Sequence, residues 1–257
     1  VWKALVEPLA WSGLWVALAA GALAAAASGA MGLGPASEVV ALVAAGTFVV
    51  YAVDRLRDVA RDRETAPRRT AFVERHARAL AAAAAVAGAA AVALALRVGP
   101  SAPLVLAPVA ALGFGHRRVK HLAFAKSAYL TLAWVCVVVL FPALALGGAH
   151  HVAWAALAIG AALQANAIAS NVRDREGAVA RIGTGPALRL AHGAVVLGIG
   201  VALAGPAPVR PLACVPAATG LALLRFRADE TYGLVVVDGA LLAGGLAALA
   251  LAALYPG

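Results

Sequence analysis

The sequence predicts an all-α, polytopic membrane protein: a nine-transmembrane-helix bundle with an acidic cavity at its cytoplasmic side. Three observations carry this. First, 63% of the 257 residues are hydrophobic, 13% are charged, and the mean hydropathy is +0.90. A soluble domain is about half apolar and about a quarter charged. So little polar surface would not cover such a core in water. Soluble enzymes, disordered chains and disulfide scaffolds are excluded. Second, apolar runs able to cross a bilayer recur along the whole chain. Third, the segments between them alternate between charged and nearly uncharged.

A helix needs about 20 apolar residues to cross the hydrocarbon core. The first run, 9–31, follows Lys3 and is too long for the apolar part of a cleavable leader. The second is 36–53. The third, 79–97, is rich in Ala, which lets helix backbones approach closely in lipid. The fourth, 101–115, is short, and Pro103 and Pro108 predict a kink or tilt. The fifth and sixth are 127–146 and 152–170, and the seventh is 187–205. The eighth, 209–224, is again short, with Pro211 and Pro216. The ninth, 233–255, contains Asp238. No soluble module or tandem repeat interrupts them, so residues 1–257 read as a single transmembrane domain.

The charged connections are 54–78, 116–126, 171–189 and 225–232. A cytoplasmic N-terminus and nine spans place all four in the cytoplasm and the C-terminus on the opposite side. Of the 21 Lys and Arg residues, only Arg97 and Arg210 then lie outside. This follows the positive-inside rule. The net charge of +9 therefore reports topology, and no nucleic-acid partner is expected. The expected location is a bacterial or archaeal cell membrane. Cys136 and Cys214 lie far apart in apolar runs, without metal or redox spacing. The histidines show no ligand spacing and read as interfacial.

Chemistry is concentrated in two acidic stretches. Asp54, Asp58 and Asp62 recur every four residues at the inner end of the second span. On a helix they form one stripe about 12 Å long. Carboxylates on one face repel unless cations lie between them. Arg55, Arg57, Arg61 and Arg63 can supply part of that charge, and a divalent ion such as Mg²⁺ the rest. The second stretch follows the sixth span. Asn171 and Asp174 share a helix face there, and Asn166 lies deeper and needs a hydrogen-bond partner. Asp238 is an intramembrane carboxylate, costly without a role, with basic residues near the site as its expected partners.

These two stretches resemble the aspartate-rich motifs of the UbiA-type intramembrane prenyltransferases. The family's first motif is written NxxxDxxxD, and Asp54, Asp58 and Asp62 match it with Asp at the first position. Asn171 and Asp174 match the start of the second, where Asn171 replaces Asp and Ala178 stands at the closing Asp. A Gly-Thr-Pro element is loosely present as Gly183, Thr184 and Pro186. The basic stretch Arg117, Arg118, Lys120 and Lys126, followed by Trp134, is similar to the family's basic loop and fifth helix. Span count, loop placement and motif order extend the likeness over nearly the whole chain.

The resemblance implies Mg²⁺-dependent transfer of an isoprenoid chain from a polyprenyl diphosphate to an aromatic or other lipophilic acceptor. It implies Asp58, Asp62 and Asp174 as Mg²⁺ ligands, with Asp54 and Asn171 as further oxygen donors. Lys126 and either Arg68 or Arg69 would hold the diphosphate, with Lys120 a further candidate. Membrane lipid would solvate the isoprenoid tail. Two alternatives stay open: a terpene-cyclase-like member, which the depleted second motif does not separate from a transferase, and a non-catalytic binder of isoprenoid diphosphates, for which Ala178 is the main argument.

Overall fold

A backbone in hydrocarbon must satisfy its own hydrogen bonds, and this chain does so with helices. The computed structural model describes residues 2–34, 37–99, 102–103, 107, 125–174 and 179–254, and no strand occurs among them. Helix α1 is Trp2–Ser12, α2 is Leu14–Ala30, α3 is Ser37–Thr65, α4 is Pro67–Arg75 and α5 is Ala77–Val98. Helix α6 comprises Ala125–Val135, a π turn at Cys136–Leu140, and Phe141–Leu146. Next come α7, Val152–Asp174; the short α8, Val179–Ile182; and α9, Thr184–Ala204. Helix α10 joins a 3₁₀ segment, Ala207–Ala213, to Cys214–Leu224, and α11 joins a π segment, Tyr232–Val237, to Asp238–Leu254.

Among the described residues, seven helices are long and apolar enough to cross a membrane, or eight when the bent α1–α2 pair is one span. The chain is thus an all-α, multi-pass integral membrane protein. These eight correspond to every expected span except the fourth. The expected span 101–115 lies, apart from 102, 103 and 107, outside the described residues.

Among the seven unbroken spans, α7 is the most enclosed. Its Ala155, Ala158, Ala162, Ala165 and Ala169 are buried against α6, α9 and α10. Without a hydrophobic driving force between helices in lipid, such small residues give the close packing that holds them. At Gly198 on α9, an added Cβ would lie 3.0 Å from the Cβ atoms of Ala161 and Pro216.

Two elements depart from the expected boundaries. Helix α3 runs through the acidic stretch to Thr65, beyond the expected end at 53. Asp54 and Arg57, Arg55 and Asp58, and Asp58 and Arg61 are three residues apart and can support each other on a helix, so leaving the apolar run need not end it. Pro67 then starts α4, as its missing N–H permits at a first turn. Ala66 offers no side-chain cap; Glu230, from the start of α11, accepts from Arg69 N at 2.7 Å and Arg68 N at 3.2 Å. The first span is also broken. Gly13 takes φ +91°, and α1 turns 80° from α2.

The turned α1 lies against α4 and the start of α11. Arg55, buried on α3, donates to Ala10 O at 2.8 Å and to Trp11 O, satisfying carbonyls at the end of α1. Trp11 packs on Phe72 with ring centroids 5.7 Å apart. The charged ends of α3, α4, α7 and α11 therefore meet at one end of the bundle. At the other end His150 N donates to Met31 O at 2.9 Å, and Arg97 pairs with Glu38 at 2.7 Å.

Candidate functional site

The four-residue spacing on α3 carries Asp54, Asp58 and Asp62 along one face, and all three line a cavity of about 760 Å³. Asp58 is buried, while Asp54 and Asp62 are half-buried. Helix α7 contributes Asn166, the buried Asn171 and Asp174. Helix α6 contributes Lys126, α4 contributes Arg69, and α11 contributes Asp238. The two acidic stretches, far apart in sequence, thus face one space. The positive charges of Lys126 and Arg69 act on Asp174 across it.

Internal cations already hold part of this acidic set. Asp62 accepts from Arg69 Nη2 at 2.5 Å. Asp174 takes both Nε and Nη2 of Arg173, at 2.7 and 2.9 Å. Such bidentate pairs are strong and directional. Of the arginines expected to lie between the aspartates, Arg57 and Arg61 line the cavity. Arg63 turns to Glu74, and Arg55 divides its role between the cavity wall and the α1 carbonyls.

Of the alternatives Arg68 and Arg69, Arg69 lines the cavity. Arg68 is not among the cavity-lining side chains. It donates to Thr231 Oγ1 at 3.1 Å, lies 3.7 Å from Glu7 and stacks 5.7 Å from the Trp11 ring centroid. Successive helical residues point about 100° apart, so Arg69 faces in and Arg68 faces α1. Lys120, with Arg117 and Arg118, lies outside the described residues, as do Glu176 and Ala178.

Other side chains enter the site without a sequence motif to announce them. Arg173 fits because Gly233 has no Cβ: one there would sit 2.7 Å from Arg173 Cδ. Its Nη1 is buried without a hydrogen-bond partner among the described residues. Deeper in, Trp134 Nε1–H donates to Tyr51 Oη at 3.3 Å. Asn166 finds the partner it needed: its amide donates to Asp238 Oδ1 at 3.1 Å and Val237 O at 3.2 Å. The cavity continues past this layer between apolar residues, including Leu42, Val43, Val137, Leu163 and Leu241.

Mg²⁺ prefers hard oxygen donors and is commonly held by one or two carboxylates plus substrate phosphates. Asp54, Asp58 and Asn171 beside Asp62 and Asp174 provide that donor chemistry. Among the described residues, no three His, Cys, Asp or Glu groups converge as a metal cage. Comparison of the chain with protein-family models, curated proteins and solved structures gave no match.

Proposed function

We propose that this protein is a Mg²⁺-dependent intramembrane prenyltransferase of the UbiA type, with the cavity opening to the cytoplasm and nine spans in all. One observation carries the reading. The carboxylate-bearing ends of α3 and α7 and the basic Arg69 and Lys126 line a single cavity that continues into an apolar interior. A polar head that chelates cations and a long apolar tail is the ligand such a shape accommodates.

The charge balance supports the same ligand. Among the described residues, five aspartates and six basic side chains line the cavity. That near-balance leaves little net positive charge for a multiply charged diphosphate, so divalent ions are needed as well. Asp58, Asp62 and Asp174 would hold Mg²⁺, helped by Asp54 and Asn171. Bound Mg²⁺ would neutralise charge developing on the leaving diphosphate. With Asp62 and Asp174 holding ions, Arg69 and Arg173 would be free to pair with the diphosphate. Arg173 Nη1 already lacks a partner among the described residues, which favours an anion beside it. Lys126 completes the basic wall. The surrounding protein keeps these groups in a low dielectric, where fixed charges act strongly.

The test is diphosphate release from geranyl, farnesyl and geranylgeranyl diphosphates, with and without Mg²⁺. Release should require Mg²⁺ and fall by about 100-fold or more in Asp58→Ala and Asp174→Ala. Release that survives both substitutions removes this site. A second reading, a non-catalytic isoprenoid-diphosphate binder, is favoured by the Asp62–Arg69 and Asp174–Arg173 pairs. Mg²⁺-dependent binding without release at any chain length selects that second reading.

A further inference from the structure

Asp238 is a half-buried, cavity-lining carboxylate for which diphosphate binding has no use. It lies in an apolar span, directly after the π segment Tyr232–Val237, and it lines the cavity. A carboxylate at this depth is costly, and π segments recur at functional sites. Asn166 fixes it: the amide nitrogen donates to Oδ1 and to the preceding carbonyl. The charged and titratable groups acting on Asp238 include Arg173, Arg55 and Asp174, and Asp238 in turn acts on Tyr51.

Its depth separates it from the metal-ligand candidates. Tyr51 is three residues inside Asp54 on α3, and Asn166 five residues inside Asn171 on α7. At about 1.5 Å rise per residue, this layer lies roughly 5–8 Å further in. That is past the phosphates, where the first carbons of an isoprenoid chain would lie. Tyr51 and Trp134 form an edge-on aromatic pair there, with ring centroids 6.3 Å apart. Tyr51 accepts from Trp134, so its own hydroxyl hydrogen remains to be donated.

We infer that Asp238 is the base that takes the acceptor's proton, in an inner subsite formed with Tyr51, Trp134 and Asn166. This rests on the prenyltransferase reading. For a phenolic acceptor the step balances as follows. Asp238 takes the hydroxyl proton. The ring carbon beside the oxygen bonds to the allylic carbon as the allylic C–O bond breaks, its electron pair leaving with diphosphate. The ring C–H proton then moves to the oxygen and restores the aromatic ring. In sum, one proton reaches Asp238 and one diphosphate departs.

The test uses full-length protein in nanodiscs, geranylgeranyl diphosphate and Mg²⁺, with two acceptor probes. 1-Naphthol must lose its proton, whereas 4-nitro-1-naphthol is ionised before it binds. Asp238→Asn keeps the shape but removes the base. Prenylation of 1-naphthol should fall about 100-fold or more in this variant, the usual scale for a lost general base. The defect with 4-nitro-1-naphthol should be below about fivefold. Equal defects with both probes, or a wild-type rate with 1-naphthol, overturn the inference. If Asp238→Asn does not fold, Asn166→Ala, which frees the carboxylate from its mount, must show the same difference between probes. Prenylation of either probe by the wild type, with Mg²⁺ present, judges the prenyltransferase reading alone. If the wild type prenylates both probes and Asp238→Asn is equally impaired with both, only the assignment of Asp238 fails.

Discussion

Arg68 and Arg69 are adjacent in sequence and serve different surfaces. The step between them on α4 sends one to Trp11 and Glu7 and the other to Asp62. Which one faces inward depends on how α4 is set, and Glu230, more than 160 positions away, caps α4. Local spacing holds no record of that distant cap, so the sequence could offer only the pair. The aspartates were legible because a four-residue repeat is itself a geometric statement. Arg173 was not, because its placement depends on Gly233 in another span. That dependence gives a prediction. In Gly233→Ala the new methyl would meet Arg173 Cδ at 2.7 Å and Nη1 at 2.8 Å. The guanidinium must move off Asp174, or the helices must part. Overpacking of this kind costs about 1–3 kcal/mol. Thermal unfolding in detergent should show that loss, while Gly193→Ala, with nothing within 4 Å, should leave Tm nearly unchanged. Equal Tm values for the two variants would show that Arg173 is not held as described.

At the scale of elements, length and apolarity located eight of the nine expected spans, and the close approaches between them are what sequence left unread. Gly244 on α11 is the sharpest case. A Cβ there would lie 2.6 Å from Val215 Cα and 2.9 Å from Cys214 O, both backbone atoms that cannot rotate away. Gly200 on α9 has nothing within 4 Å. Gly244→Ala should therefore destabilise by about 1–3 kcal/mol as α10 and α11 separate. Gly200→Ala should be neutral or stabilise slightly, since it mainly reduces unfolded-chain freedom. Chemical denaturation of the two variants in the same detergent checks the contrast. Both glycines sit in similar apolar, small-residue runs, so composition cannot rank them; only the neighbouring helix can. The same reasoning explains the two boundary errors. Helix α3 continued past 53 because a charged helix needs no lipid. The first span broke at Gly13 because Arg55, from another helix, holds the carbonyls of a turned α1.

For the whole molecule, scarce charge does two jobs with one arrangement. The basic residues that orient a chain in a bilayer gather at one end, and the carboxylates of α3 and α7 lie there with them. A site that ionises a diphosphate in the membrane needs both signs of charge at an aqueous mouth, and this end supplies them. On the proposed function, orientation and chemistry are tied: the side that retains the arginines would be the side from which a diphosphate enters. Single cysteines can test this after Cys136 and Cys214 are replaced by Ala. His150 and Arg227 are exposed, at opposite ends of the bundle. In intact cells a membrane-impermeant maleimide should label His150→Cys, and it should label Arg227→Cys only after permeabilisation. Labelling in the reverse order would turn the cavity outward and overturn its proposed cytoplasmic opening. The cavity would then need a different ligand, although every contact inside the bundle stayed the same.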